Sequence, residues 1–204
     1  GGDTIFGIPG VHNIELYRGL SRSGLRAISP RHEQGAGFMA DGYAIASGRP
    51  GVCMLITGPG LTNALTPMGQ AYHDSRPMLV LAATTPTNDL GQGNGPLHDG
   101  PDQAAIARPI TAFSETVMDP AAVPALLARA WDVFDHGRPR PVHLAMPTDV
   151  LAMEAGEAGA DFSTRRDAWI AGLHRAAPGS DWREMDAQAR AEKSERRQVD
   201  RDAL

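Results

Sequence analysis

The stretch Gly51-Val52-Cys53-Met54-Leu55-Ile56-Thr57-Gly58-Pro59-Gly60-Leu61-Thr62-Asn63 decides the fold. Its apolar run is continuous rather than alternating, the mark of a strand buried on both faces in a parallel sheet. The run ends in a glycine-proline turn and passes into a helical pattern over 61–73. Residues 78–83 repeat the continuous apolar signature, and 4–8, 26–29, 52–57, 113–117 and 142–146 complete the strand candidates. Helical patterns over 13–22 and 33–47 lie between them. Another follows Asp119-Pro120, a capping residue before a proline, where Val123, Leu126, Leu127, Ala130, Trp131 and Phe134 recur at helical spacing until Gly137 and Pro139. The alternation predicts an open, doubly wound α/β domain over residues 1–152, its mostly parallel sheet of about six strands covered by helices on both faces.

Charge divides the chain differently. Of its 204 residues, the last 54 hold 20 of the charged side chains, against 23 in the first 150. Residues 153–204 are therefore expected to be a charged tail, partly helical or disordered. Asp181-Trp182-Arg183-Glu184 has capping-box spacing, which marks a solvated helix over 181–201.

Composition narrows the function classes. A net charge of −5 with a pI of about 5.8 argues against a nucleic-acid footprint. The chain has no apolar run near the roughly 20 residues that span a bilayer, and no signal-peptide pattern opens it, so the expectation is a cytoplasmic protein. The single cysteine, Cys53, lies in an apolar run and reads as a core residue. The seven histidines, at 12, 32, 73, 98, 136, 143 and 174, have no metal-ligand spacing, so no metal site is assigned to this chain. His143, inside a strand candidate, reads as a structural histidine.

Three glycine-rich turns follow strand candidates: Gly7-Ile8-Pro9-Gly10, Gly58-Pro59-Gly60 and Gly91-Gln92-Gly93-Asn94-Gly95. In open α/β sheets, ligands bind beyond the carboxyl ends of strands. The second turn passes from strand to helix, so its backbone donors are candidates to face an anion. It lacks the Gly-Lys-Ser/Thr of a phosphate loop, and the third lacks dinucleotide-fingerprint spacing, which leaves a nucleotide-binding module as the weakest reading.

The segment Ser29-Pro30-Arg31-His32-Glu33-Gln34-Gly35-Ala36-Gly37-Phe38-Met39-Ala40-Asp41-Gly42-Tyr43-Ala44 places one carboxylate, Glu33, at the mouth of a helix of small residues. Helix-dipole stabilisation of about 0.3–1 kcal/mol is a sufficient structural reason for the glutamate. It is no reason for Gly35, Gly37 and Gly42, each of which sacrifices up to about 1 kcal/mol of helix propensity. Something must approach that helix closely.

Taken in order, Phe6-Gly7-Ile8-Pro9-Gly10, Arg31-His32-Glu33-Gln34-Gly35-Ala36 with Ala40-Asp41-Gly42-Tyr43-Ala44, Thr57-Gly58-Pro59-Gly60-Leu61-Thr62-Asn63 and Ala71-Tyr72-His73-Asp74-Ser75-Arg76-Pro77 resemble one family. It is the thiamine-diphosphate enzymes of the acetolactate synthase and 2-oxo acid decarboxylase group, and the resemblance covers their N-terminal, pyrimidine-binding domain. It implies that Glu33 hydrogen-bonds the cofactor's aminopyrimidine and favours the imino tautomer. The exocyclic nitrogen of that tautomer then deprotonates the thiazolium carbon, which attacks a 2-oxo acid for decarboxylation or carboligation. A carboxyl group taken out of water can share a proton with a ring nitrogen. The resemblance also implies that Gly10, Thr57, Gly58, Pro59 and Asn63 lie at the cofactor. His98, in Leu97-His98-Asp99 where many relatives have Phe-Gln-Glu, is implied to face substrate, a departure that weighs against ordinary acetolactate synthesis. The wording around 8–20 and 93–98 looks most like the 5-guanidino-2-oxopentanoate decarboxylase branch.

Members of this family hold the diphosphate and Mg2+ on a second α/β domain bearing Gly-Asp-Gly, a motif this sequence lacks. The chain is therefore expected to be a fragment or truncated product, inactive alone and reliant on a second copy in a homodimer or on a diphosphate-binding partner domain. The competing expectation is a non-catalytic remnant or dimerisation module that binds no cofactor.

Overall fold

The computed structural model describes residues 2–153; the tail over 154–204, including the helix expected at 181–201, lies outside the described residues. Six strands, β1 (Thr4–Gly7), β2 (Arg26–Ile28), β3 (Gly51–Leu55), β4 (Met78–Thr84), β5 (Phe113–Thr116) and β6 (Pro141–Pro147), form one sheet in the order β2-β1-β3-β4-β6-β5. Every pairing in it is parallel. The helices are α1 (Ile14–Leu20), α2 (Glu33–Ser47), α3 (Pro59–His73), α4 (Gln103–Ala107), α5 (Val123–His136) and α6 (Thr148–Leu151).

Alternation along the strands sorts side chains to the two faces. Phe6, Cys53, Leu55, Met78, Val80 and Ala82 pack with Ala36, Ala40, Leu61, Ala64 and Met68 of α2 and α3. Leu79, Val142, Leu144 and Met146 pack on the opposite face with Ala130 and Phe134 of α5. Ile5 and Met54 meet Leu20 of α1. Cys53 is fully buried, and burial pushes its thiol up to about 12, the behaviour of a core residue.

Helix boundaries follow local chemistry. Asp119 caps a 3-10 turn, Pro120–Ala122, that leads into α5, accepting from the Ala121 amide at 2.9 Å. The cap of α2 is His32, whose Nδ1 accepts from the Gln34 amide at 3.1 Å. Helix α3 begins at Pro59, two residues earlier than the pattern suggests, because proline at the first helical position loses no bond there. Helix α4, which no periodicity announced, is capped by Asp102 accepting from Ala105 at 2.9 Å.

Helices α2 and α3 pack closely where Gly37 meets Pro67. A Cβ on Gly37 would lie 2.3 Å from the Pro67 ring, so the glycine makes room for a proline in the middle of α3. At the far end of the pair, Arg76 bridges the buried Asp41 at 2.5 Å and Asp74 at 2.6 Å. Desolvation raises the Asp41 pKa, and Arg76 partly offsets it. No helix among the described residues is long and apolar enough to cross a membrane.

Candidate functional site

The sheet reverses its winding between β1 and β3: from β1 the chain crosses to β2 on one side, and from β3 to β4 on the other. Such a switch point leaves a crevice outside the carboxyl ends of the strands. Three chain segments enter it: the turn after β1 with Gly10, the turn after β3 from Thr57 to Gly60, and the N-terminus of α2 with Glu33.

Glu33 is half-buried and is the first residue of α2. Its Oε2 accepts from Asn63 Nδ2 of α3 at 3.0 Å, and its Oε1 has no hydrogen-bond partner among the described residues. Gly60 opens the space beside it. A Cβ there would lie 2.6 Å from Ile56 Cγ2 and 3.9 Å from Glu33 Cγ. Gly10 sits on the other flank of Ile56, where a Cβ would meet Ile56 Cδ1 at 2.5 Å. The result is a wall of glycine backbone and one isoleucine beside a carboxylate with a free oxygen.

The turn after β3 is held from outside. Gly58 has φ 57° and ψ −106°, which only glycine adopts readily. Its amide donates to Gln103 Oε1 at 2.8 Å, and Gln103 Nε2 donates to the Ala83 carbonyl at 2.8 Å, so α4 ties the turn to the end of β4. Helix α4 is itself fixed by Ser114, whose hydroxyl donates to the Ala104 carbonyl at 2.8 Å and lies 2.7 Å from His143 Nδ1. His143 is fully buried with Nε2 unpartnered, and burial lowers its pKa to about 3, so it stands neutral in the core. These contacts correct one expectation. The Gly58 amide faces Gln103, the Gly60 amide donates to the Thr57 carbonyl and the Thr62 amide to the Gly58 carbonyl, so these donors are not presented to an anion.

The remaining site candidates fall on the same rim. Thr57 is buried, and its Oγ1 lies 3.0 Å from His12 Nδ1. Pro59 is exposed at the head of α3. His98 takes a left-handed φ of 61°, and its carbonyl occupies the space a Gly58 side chain would need, 2.5 Å from an ideal Cβ. Its Nδ1 is buried without a partner, and its ring meets that of His12 edge to face at 5.7 Å. Burial, and then His98, lower the His12 pKa. Glu33, Gly10, Thr57, Gly58, Asn63 and His98 are thus brought together. Sequence reasoning missed His12, Ile56 and Gln103: Gln103 reaches Gly58 across 45 positions, a pairing without a local signal. The third glycine-rich turn, 91–95, is followed by neither strand nor helix before α4. Among the described residues no three His, Cys, Asp or Glu side chains converge as a metal site would require.

An α/β domain with a carboxylate at a helix N-terminus in its switch-point crevice is the class of molecule that fold and site define. The family model described as thiamine pyrophosphate enzyme, N-terminal TPP binding domain, matches residues 1–106, and the chain belongs to this family. It is 60% identical over 152 residues to the Pseudomonas aeruginosa protein named "Probable 2-ketoarginine decarboxylase AruI", a match covering 74% of this chain and 27% of that protein. It is 38% identical over 151 residues to the mitochondrial acetolactate synthase catalytic subunit of Saccharomyces cerevisiae, and 35% over 151 residues to the chloroplastic acetolactate synthase of Arabidopsis thaliana. Each of those two matches covers 74% of this chain and 22% of the relative. The chain spans about a quarter of the length of the relatives it matches.

Proposed function

We propose that this chain is the pyrimidine-binding half of a thiamine-diphosphate-dependent lyase acting on a 2-oxo acid, with 5-guanidino-2-oxopentanoate, the compound also called 2-ketoarginine, as preferred substrate. The observation that carries the reading is Glu33, half-buried beside Gly60, with Asn63 on one oxygen and the other free. An aminopyrimidine fits this arrangement: a flat ring needs the missing side chains of Gly60 and Gly10, an apolar contact such as Ile56, and an acceptor for a ring nitrogen. The bound cofactor supplies the electron sink for loss of CO2 from a 2-oxo acid. Within this chain, Glu33 Oε1 holds a proton against the ring nitrogen, and Asn63 fixes the carboxylate plane. Gln103 keeps the Gly58 turn in place, and His98 faces the substrate. The identity to the relative named for 2-ketoarginine supports the substrate.

The diphosphate and Mg2+ are held, in this proposal, by a partner domain, and a second copy of the chain covers the outer face of α2. Phe38, Met39 and Ile45 lie exposed there around Gly42, at which a Cβ would meet nothing within 4 Å. The face carries no charge and has a glycine at its centre, which suits the self-complementary approach of two identical helices. Mixing the chain with a diphosphate-binding domain, thiamine diphosphate and Mg2+ tests the proposal: CO2 release from 5-guanidino-2-oxopentanoate is expected. A folded mixture without activity on any 2-oxo acid would contradict it and favour a dimerisation module that binds no cofactor.

A further inference from the structure

A 2-oxo acid brings a carboxylate into the crevice, and a carboxylate leaving water needs hydrogen-bond donors. Four amide donors of the glycine turns are committed elsewhere. The Gly10 amide donates to Asn13 Oδ1 at 2.7 Å, the Gly58 amide to Gln103, the Gly60 amide to the Thr57 carbonyl and the Thr62 amide to the Gly58 carbonyl. Asn63 Nδ2 serves Glu33. Neither lysine nor arginine stands at positions 8–13 or 56–63, which form these turns. Two imidazoles with uncommitted ring nitrogens stand beside these turns.

His12 is fixed by Thr57 through Nδ1, and its Nε2 has no hydrogen-bond partner among the described residues. His98, ring to ring with it, holds a buried Nδ1 equally without a partner. The titratable groups on the adjoining segments are engaged in other contacts. Asp99 accepts the amides of Gly95 and Gly100, and Glu15, on the helix that follows His12, pairs with Arg18 at 2.6 Å. The contact from the β3–α3 turn is the Thr57 hydroxyl, which does not titrate in this range.

We propose that His12 is a substrate-binding residue: together with His98 it receives the carboxylate of the 2-oxo acid, and the pair takes up one proton from solvent as the anion binds. This rests on the function proposed above and deepens it, since His12 has no role in that reading. Burial, and then His98, favour neutral His12 in the free protein, so the proton arrives with the anion instead of being stored beforehand. His98 has a left-handed backbone, its carbonyl lies against the Gly58 turn, and its ring meets that of His12.

The test is calorimetric titration of the chain, combined with its diphosphate-binding partner domain, in two buffers of different ionisation enthalpy at pH 8. The probe is 5-guanidino-2-hydroxypentanoate, an analogue that cannot lose CO2 through a 2-oxo group, with butylguanidine as the carboxylate-free control. Uptake approaching one proton per bound analogue is expected, with none for butylguanidine. His12→Gln should abolish that uptake and weaken binding about 10- to 100-fold, the range for losing a hydrogen bond to a charged group. His98→Gln should abolish the uptake as well, and thermal unfolding checks that both variants are folded. Unchanged affinity and proton count in His12→Gln would remove its role while leaving the lyase reading intact. Failure of the wild-type protein both to bind the analogue and to release CO2 would remove both.

Discussion

Helices α2 and α5 are nearly equal in length, 15 and 14 residues, and cover opposite faces of the same sheet, yet they obey different rules. Helix α5 is amphipathic in the ordinary way: Ala130 and Phe134 are buried, and Val123, Leu126, Leu127 and Trp131 pack around them. Its sequence is explained by the sheet beneath it. Helix α2 buries Ala36, Gly37, Ala40, Asp41 and Ala44, all small but one, and exposes Phe38, Met39 and Ile45. Its large apolar side chains point away from the core, and the helix begins on a carboxylate with a free oxygen. A helix that reverses the usual pattern inside a well-packed domain is shaped by something besides folding: close packing against α3 on one side and, in the function proposed above, a ligand and a partner on the other.

Removing one aromatic ring from each helix should break the symmetry most visibly. Phe134→Ala in α5 should cost about 3–5 kcal/mol in denaturant unfolding, the range for deleting a buried phenylalanine. Phe38→Ala in α2 should leave monomer stability within about 0.5 kcal/mol and weaken self-association in sedimentation. Equal stability losses would mean that the α2 face is core after all.

The glycines of α2 sharpen the contrast from within. Gly37→Ala sets a methyl against the Pro67 ring and should destabilise by about 1–3 kcal/mol. Gly42→Ala meets nothing within the chain and should stabilise the monomer by up to about 1 kcal/mol through helix propensity, while it weakens dimers. If both variants destabilise the monomer alike, the open face is not open.

A smaller effect is a pH dependence carried by His143 of β6. Burial lowers the His143 pKa to about 3, so below its unfolded value of about 6.5 the unfolded chain binds the proton that the folded chain refuses. The stability from this histidine is full above that value and is lost as pH falls towards 3, at roughly 1 kcal/mol per pH unit. His12, also lowered, adds loss of the same sign. Urea midpoints at pH 7, 5 and 4 should fall more steeply for the wild type than for His143→Gln, and parallel slopes would contradict the assignment.

The sheet was legible because buried parallel strands advertise themselves: the runs 52–57 and 78–83 foretell β3 and β4 within a residue or two. Helix α5 was legible from its stripe and from Asp119, which caps the 3-10 turn leading into it. Helix α4 was not, since five residues are too few to show a period and its anchors, Gly58 and Ser114, lie far off in sequence. The same distance hid the fate of the turn amides, which composition alone leaves free to face an anion. Glu33 stood out because it combines an unusual position with costly neighbours, whereas His12 carried no such signal until its ring was seen against His98.

The central claim is that Glu33 shares a proton with the pyrimidine ring, and decarboxylation by Glu33→Gln measures it most directly. In the chain combined with a diphosphate-binding domain, thiamine diphosphate and Mg2+, CO2 release from the proposed substrate, 5-guanidino-2-oxopentanoate, should drop at least about 100-fold, the scale of a lost general acid–base group. Stability should stay within about 1 kcal/mol of wild type, since glutamine keeps an acceptor for Asn63 Nδ2 and the substitution removes mainly the helix-dipole contribution. A folded Glu33→Gln protein with wild-type activity would contradict the account.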